Sequence, residues 1–174
     1  MSVPSRSPRR RRTGMSIVEV LMSISIVAML LTAVAAAFSS SSQIIEANDR
    51  FFRATQAARV SLNQILMEVR RAHAVSVPTS WRIDMITFDQ DDRSYVYDST
   101  GQTIKLITNA IATDPDYRLA TDVSSCTFAA DTFIDKGGIS HVARVSVSMI
   151  VRVGSDQIRL SGSAAPRRVV TYPN

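Results

Sequence analysis

Residues 9–38 read RRRRTGMSIVEVLMSISIVAMLLTAVAAAF. Four consecutive arginines open the stretch, Gly14 follows, and a dense apolar run continues to Phe38. That run carries a single charge, Glu19. Residues 15–38 are long enough, as a helix, to cross a hydrocarbon core of about 30 Å. The arginines lie on the N-terminal side. Positive flanks stay in the cytoplasm, so the C-terminal part is expected to face outward.

Charge outside this stretch is balanced. The chain of 174 residues has a formal net charge of +5 and a pI of about 10.0. Arg6, Arg9, Arg10, Arg11 and Arg12 precede Gly14 with no acid among them. The remaining residues are neutral overall. The basic patch therefore reads as an orientation signal beside a membrane segment, and no direct nucleic-acid binding is expected. Cys126 is the only cysteine, which excludes an intramolecular disulfide. With two histidines, His73 and His141, and one thiol, no zinc site is expected. No Gly-rich phosphate loop, G-x-S-x-G or H-E-x-x-H is present. The reading needs no cofactor, no metal and no catalytic residues.

Two general readings fit the apolar run. One is a secretory signal with AVAAA at 33–37 as a cleavage site; the other is a plain anchor. Glu19 weighs against both. A charge in a spanning segment costs about 2.5 to 3.5 kcal/mol at the helix centre and less near its end. Intramembrane carboxylates usually have a partner. Cleavage after Gly14 would create an α-amino group on Met15, four residues from Glu19 and on the same helical face. The amine of a neighbouring copy or related subunit would serve equally.

Gly14 followed by Met15-Ser16-Ile17-Val18-Glu19 and a long apolar helix resembles the type III signal of type IV pilins and pseudopilins. The resemblance implies a leader cut after Gly14 by prepilin peptidase on the cytoplasmic side. It implies methylation of Met15 and a role for Glu19 in assembly with other pilin-like subunits in the inner membrane. The departure from the usual pattern is Met15, where Phe is commonest. The stretch LNQILMEVRRAHAV (62–75) and the C-terminal RVSVSMIVRV and SGSAAPR segments are also similar to J-type minor pseudopilins of type II secretion and to W-type minor pilins. A minor pilin of a type IV pilus or DNA-uptake filament is the alternative within the family. A secreted or anchored β-rich protein with an ordinary signal is the alternative outside it.

Beyond Phe38 the helical period resumes. Ile44, Phe51, Ala54, Ala58, Leu62, Ile65, Val69 and Ala72 trace one face. No Pro or Gly interrupts residues 15–77. This predicts one helix of about 60 residues, roughly 90 Å at 1.5 Å per residue, ended by Pro78. Period-two patterning then predicts strands at 81–89, 94–98, 103–108, 124–130, 141–153 and 157–163, the last two joined as a hairpin through GSD. The expected fold class is α+β, with one antiparallel sheet buried against the amphipathic half of the helix. The expected divisions are a cleaved leader (1–14), a transmembrane helix (15–38), its amphipathic continuation (39–77) and a β-rich domain (78–174).

Other candidates are weaker. Asp89, Asp91, Asp92 and the DPD at 114–116 supply oxygen ligands suited to calcium, but without EF-hand spacing they read first as turns. His73 is expected at the helix end, where a cation suits the dipole. Cys126 is expected to be buried. Trp81 is expected in the core, with a surface anchor for a partner as the other reading.

Overall fold

The computed structural model describes residues 14–109, 114–167 and 172. It divides into two compact units, Met1–Ile45 and Glu46–Asn174. One helix, α1 (Ile17–Arg71), runs through the boundary between them. Eight strands follow: β1 (Ala74–Thr79), β2 (Arg82–Ile86), β3 (Asp92–Asp98), β4 (Thr103–Thr108), β5 (Tyr117–Ala120), β6 (Val123–Ile134), β7 (Ser140–Val153) and β8 (Asp156–Ala164).

Among the described residues of the first unit, α1 is the one regular element. Every described residue up to Ile45 is exposed, including Leu21, Ile24, Leu30 and Leu31. Its side-chain hydroxyls turn back on the helix: Ser23 Oγ donates to the Glu19 carbonyl at 2.7 Å and Ser25 Oγ to that of Leu21 at 2.9 Å. Such bonding hides polar groups within an otherwise apolar surface.

In the second unit α1 buries a stripe. Ala54, Thr55, Ala58, Ser61, Leu62, Ile65, Leu66 and Val69 are buried, at the three- and four-residue steps of one helical face. The stripe begins at Ala54, so the expected Ile44 is not part of it; Ile44 is 60% exposed. Small residues at 54, 58 and 61 let backbones approach, and larger ones fill the space nearer the helix end.

The helix ends at Arg71, earlier than Pro78 would dictate. Ala72 still donates to the Glu68 carbonyl at 2.7 Å, but the His73 amide donates to Ile86 in β2 at 2.8 Å. Val75 and Val77 are β-branched and suit a strand better than a helix. A sheet partner thus captures residues that carry no breaker of their own. Pro78 lies inside β1, an edge strand, where the register with β2 breaks between Ser76 and Thr79. A residue without an N–H is tolerated at such a place.

The strands form two sheets where one was expected. β1 to β5 make an antiparallel meander in sequence order, and β6-β7-β8 make a second antiparallel sheet. The chain changes sheet at Thr121–Asp122, where Asp122 takes φ +59°. β7 and β8 do form the expected hairpin. Val153 pairs with Asp156 across a two-residue turn, and Gly154 at φ +62° gives the mirror-type geometry that matches strand twist.

Both sheets contribute to one core with the helix stripe. Ile83, Met85, Tyr95 and Ile104 come from the five-stranded sheet; Phe128, Val145, Val147, Met149 and Val151 come from the three-stranded one. Gly162 in β8 sits against Leu66; a Cβ there would lie 2.5 Å from Leu66 Cδ1. The Tyr95 hydroxyl, otherwise buried, accepts from Gln64 Nε2 at 3.1 Å. Burial, and then the Glu68 carboxylate, push the Tyr95 phenol well above its ordinary value.

Candidate functional site

The N-terminal candidates sit at the mouth of α1. Gly14 and Met15 are exposed and precede the helix. Nothing lies within 4 Å of the position a Gly14 Cβ would take. Residues 1–13 of the expected leader lie outside the described residues. The Ser16 carbonyl accepts from the amides of Glu19 at 3.0 Å and Val20 at 3.2 Å, which marks Ser16 as the residue that opens the helix.

Glu19 is exposed in the first turn. Among the described residues no hydrogen bond or ion pair engages its carboxylate. The local spacing Ser16-x-x-Glu19 has the form of a capping box, a signal legible in the sequence itself. The reciprocal bond of that motif, from the Ser16 amide to the Glu19 carboxylate, is not formed. An acid in the first turn of a helix gains about 0.3 to 1 kcal/mol from the dipole. That is smaller than the insertion cost of a carboxylate deep in lipid, about 2.5 to 3.5 kcal/mol, and comparable to it only near the membrane edge. The dipole alone therefore accounts for Glu19 at the threshold of a span and not within one.

The apolar run of α1 is long enough to cross a membrane, and none of its most hydrophobic window is buried. This is the single helix among the described residues that meets those criteria.

Among the described residues no group of three or more His, Cys, Asp or Glu side chains is placed to hold a metal ion. Three of the acidic side chains in these turns have other partners. Asp91 Oδ2 accepts from Arg93 at 2.9 Å, and Asp92 Oδ1 accepts from Asn109 Nδ2 at 2.8 Å and from the Tyr172 hydroxyl at 2.7 Å. Asp114 Oδ1 accepts from the Tyr117 hydroxyl at 2.9 Å. His73 stacks on Phe88, ring centroids 6.1 Å apart and nearly parallel. The cavity at the C-terminal end of α1, about 680 Å³, is lined by Gln64, Met67, Glu68, Arg71, Phe88 and Arg93 among others, with no His or Cys to act as base or nucleophile.

Cys126 is buried as expected, and burial pushes its thiol up to about 12. A thiol in that state is a poor nucleophile. Trp81 departs from its expected place in the core: it stands at the β1–β2 turn, 48% exposed. The turn projects the indole outward because both flanking strands are already filled by Ile83, Val75 and their partners. The face of β4 carrying Lys105 is opposite the face that carries Ile104, so TIKLIT is two-sided as its alternation suggested.

No family model, curated protein or solved structure matches this chain.

Proposed function

We propose that this chain is a minor pseudopilin, a structural subunit of a type II secretion pseudopilus held in the bacterial inner membrane by the first part of α1. Its action would be assembly and not turnover of a substrate. One observation carries the reading. A Gly14–Met15 bond, exposed and outside any helix, stands five residues before a carboxylate that no described residue engages, at the start of a helix whose apolar surface the fold leaves bare. A peptidase needs an extended, accessible bond, and a bare apolar helix needs lipid or other helices around it. Glu19, four residues from the new amine of Met15, offers it or a neighbour's amine a counter-charge in a low dielectric. The β-rich unit would then lie on the periplasmic side, since the arginines hold the leader in the cytoplasm.

The test is the mature N-terminus, read by mass spectrometry on the protein from its native membrane. A methylated Met15 is expected, and Gly14→Val is expected to leave the uncut precursor. A start near Ala36 or Phe38 would instead mean a secretory signal, and an intact Met1 a plain anchor. Either of those results, or normal trimming of Gly14→Val, overturns the proposal.

A further inference from the structure

Trp81 is the only tryptophan in the chain, and its backbone is fixed on two sides. The Tyr97 amide donates to the Trp81 carbonyl at 2.9 Å, and the Phe128 amide donates to the Ser80 carbonyl at 2.8 Å. One bond ties the turn to the five-stranded sheet and the other ties it to the three-stranded sheet. The turn's backbone is held firmly, and the indole it carries stands outside the core. It stands instead on the wall of an open cavity of about 570 Å³, with Val96, Ile107, Asp98, Lys105 and Asp116.

The charged wall is organised. Lys105 Nζ lies 3.1 Å from Asp98 Oδ2 and 4.0 Å from Asp116 Oδ2. The Asp98 carboxylate is saturated: its Oδ1 accepts the amides of Thr100 at 3.0 Å and Gly101 at 3.1 Å. Asp116 is different. Its side chain is half exposed, and the long contact to Lys105 is its ion pair among the described residues. The cavity therefore presents the indole with a half-exposed carboxylate and an ammonium beside it.

The chemistry of the wall narrows the ligand. A phosphate-bearing nucleotide would stack on the indole but bring its charge against two carboxylates. A cation over the ring would meet the ammonium of Lys105, already seated between the acids. A purely apolar side chain would desolvate the half-exposed Asp116 carboxylate and offer it no hydrogen bond. A neutral ring with an apolar C–H face and a rim of hydroxyls fits all three features. Its face meets the negative face of the indole, and its hydroxyls donate to a carboxylate and accept from an ammonium. Because two hydrogen bonds already hold the turn, little backbone freedom is lost on binding.

We propose that the cavity beside Trp81 is a carbohydrate site, in which a neutral pyranose stacks on the Trp81 indole and bonds through its hydroxyls to Asp116 and Lys105. The site belongs wholly to the unit Glu46–Asn174 and does not depend on how the N-terminus is processed.

The lone tryptophan makes the test direct, since its emission reports on this cavity alone. Full-length protein in a detergent without a sugar headgroup is titrated with a linear β-1,4-linked glucose tetramer and, separately, with the corresponding N-acetylglucosamine tetramer. A saturable change in emission with at least one of them is expected, together with saturation transfer from protein to the sugar C–H protons by NMR. The two probes distinguish a glucan from an amino-sugar polymer as the source of the ring. Trp81→Ala should abolish the NMR signal, Trp81→Tyr should retain part of it, and Asp116→Asn should weaken binding about tenfold. Unchanged circular dichroism verifies that each variant is folded; if Trp81→Ala unfolds, the other two variants carry the test. No saturable response to either sugar overturns the proposal. So does undiminished binding by folded Trp81→Ala, or by Trp81→Tyr and Asp116→Asn together.

Discussion

Residues 17–45 and 46–71 belong to one helix, yet they solve the same problem in opposite ways. The first stretch is the more apolar, and none of it is buried. The second is rich in charge, and it buries eight residues. The pairs Arg50–Glu46 and Arg53–Asp49 at i, i+4 stay exposed, while Glu68 reaches Arg93 of β3 at 3.6 Å. The difference teaches that hydrophobicity and burial are separate properties. A segment becomes core through the spacing of its apolar residues, which lets a sheet cover one face. A segment apolar on every side offers no face to choose, and it waits for an environment that surrounds it.

The sharpest way to break that comparison is to separate the two stretches. A fragment beginning at Gln43 is expected to remain in solution as a monomer with mixed helix and strand by circular dichroism, whereas the full chain should partition into membranes or detergent. A fragment that aggregates would show that the second stretch also relies on outside cover.

Within the first stretch, the proposed assembly role predicts that Glu19→Val leaves insertion and the proposed cut at Gly14 intact and removes cross-links to the proposed partner subunits. Unchanged cross-linking would reduce Glu19 to a helix-start residue.

Paired truncations probe the two environments next. Ile65 is fully buried, and Ile65→Ala should destabilise the β-rich unit by about 2 to 5 kcal/mol. Ile24→Ala, in the bare stretch, should leave the chemical-denaturation midpoint of that unit unchanged. Equal effects would mean that the first stretch has a hidden packing partner.

A finer test lies at the contact between helix and sheet. Gly162→Ala would press a methyl group against Leu66 Cδ1, the end of a flexible side chain that can rotate away. The expected cost is about 1 kcal/mol, at the low end for overpacking, measured as a shift in denaturation midpoint. A loss several times larger would mean that Leu66 is locked.

The smallest expected effect is a pH dependence at the β6–β7 turn. Asp135 bonds to His141 Nε2 at 3.0 Å and accepts the amides of Ile139 at 2.9 Å and Gly137 at 2.8 Å. These bonds, the one from His141 first, hold its carboxyl below the usual value. A depressed folded pKa contributes stability that is present above the unfolded value and lost as pH falls through the folded one. Acidification below about pH 4 should therefore loosen this turn, read by NMR shifts of Gly137 and Ile139, and Asp135→Asn should remove the transition.

The sequence alone determined the α+β class, the long apolar start of the helix and six of the eight strands, because each rests on a local period. TIKLIT became β4 without a change of boundary, and the GSD turn made its hairpin. The apolar span 15–38 was equally legible, whereas the bare surface runs on to Ile45, past Ile44, which the spacing had assigned to the buried face. Only the tertiary structure decided where α1 stops. Residues 72–77 have no breaker, and it is β2, accepting the His73 amide, that draws them into a strand. The same holds for the second sheet, which depends on a left-handed Asp122 that no pattern announces, and for β5, four residues long and defined by its pairing with β4. Trp81 is the clearest case. An aromatic residue between two strands reads as core until the strands' inner faces are seen to be full, and only three-dimensional packing can show that.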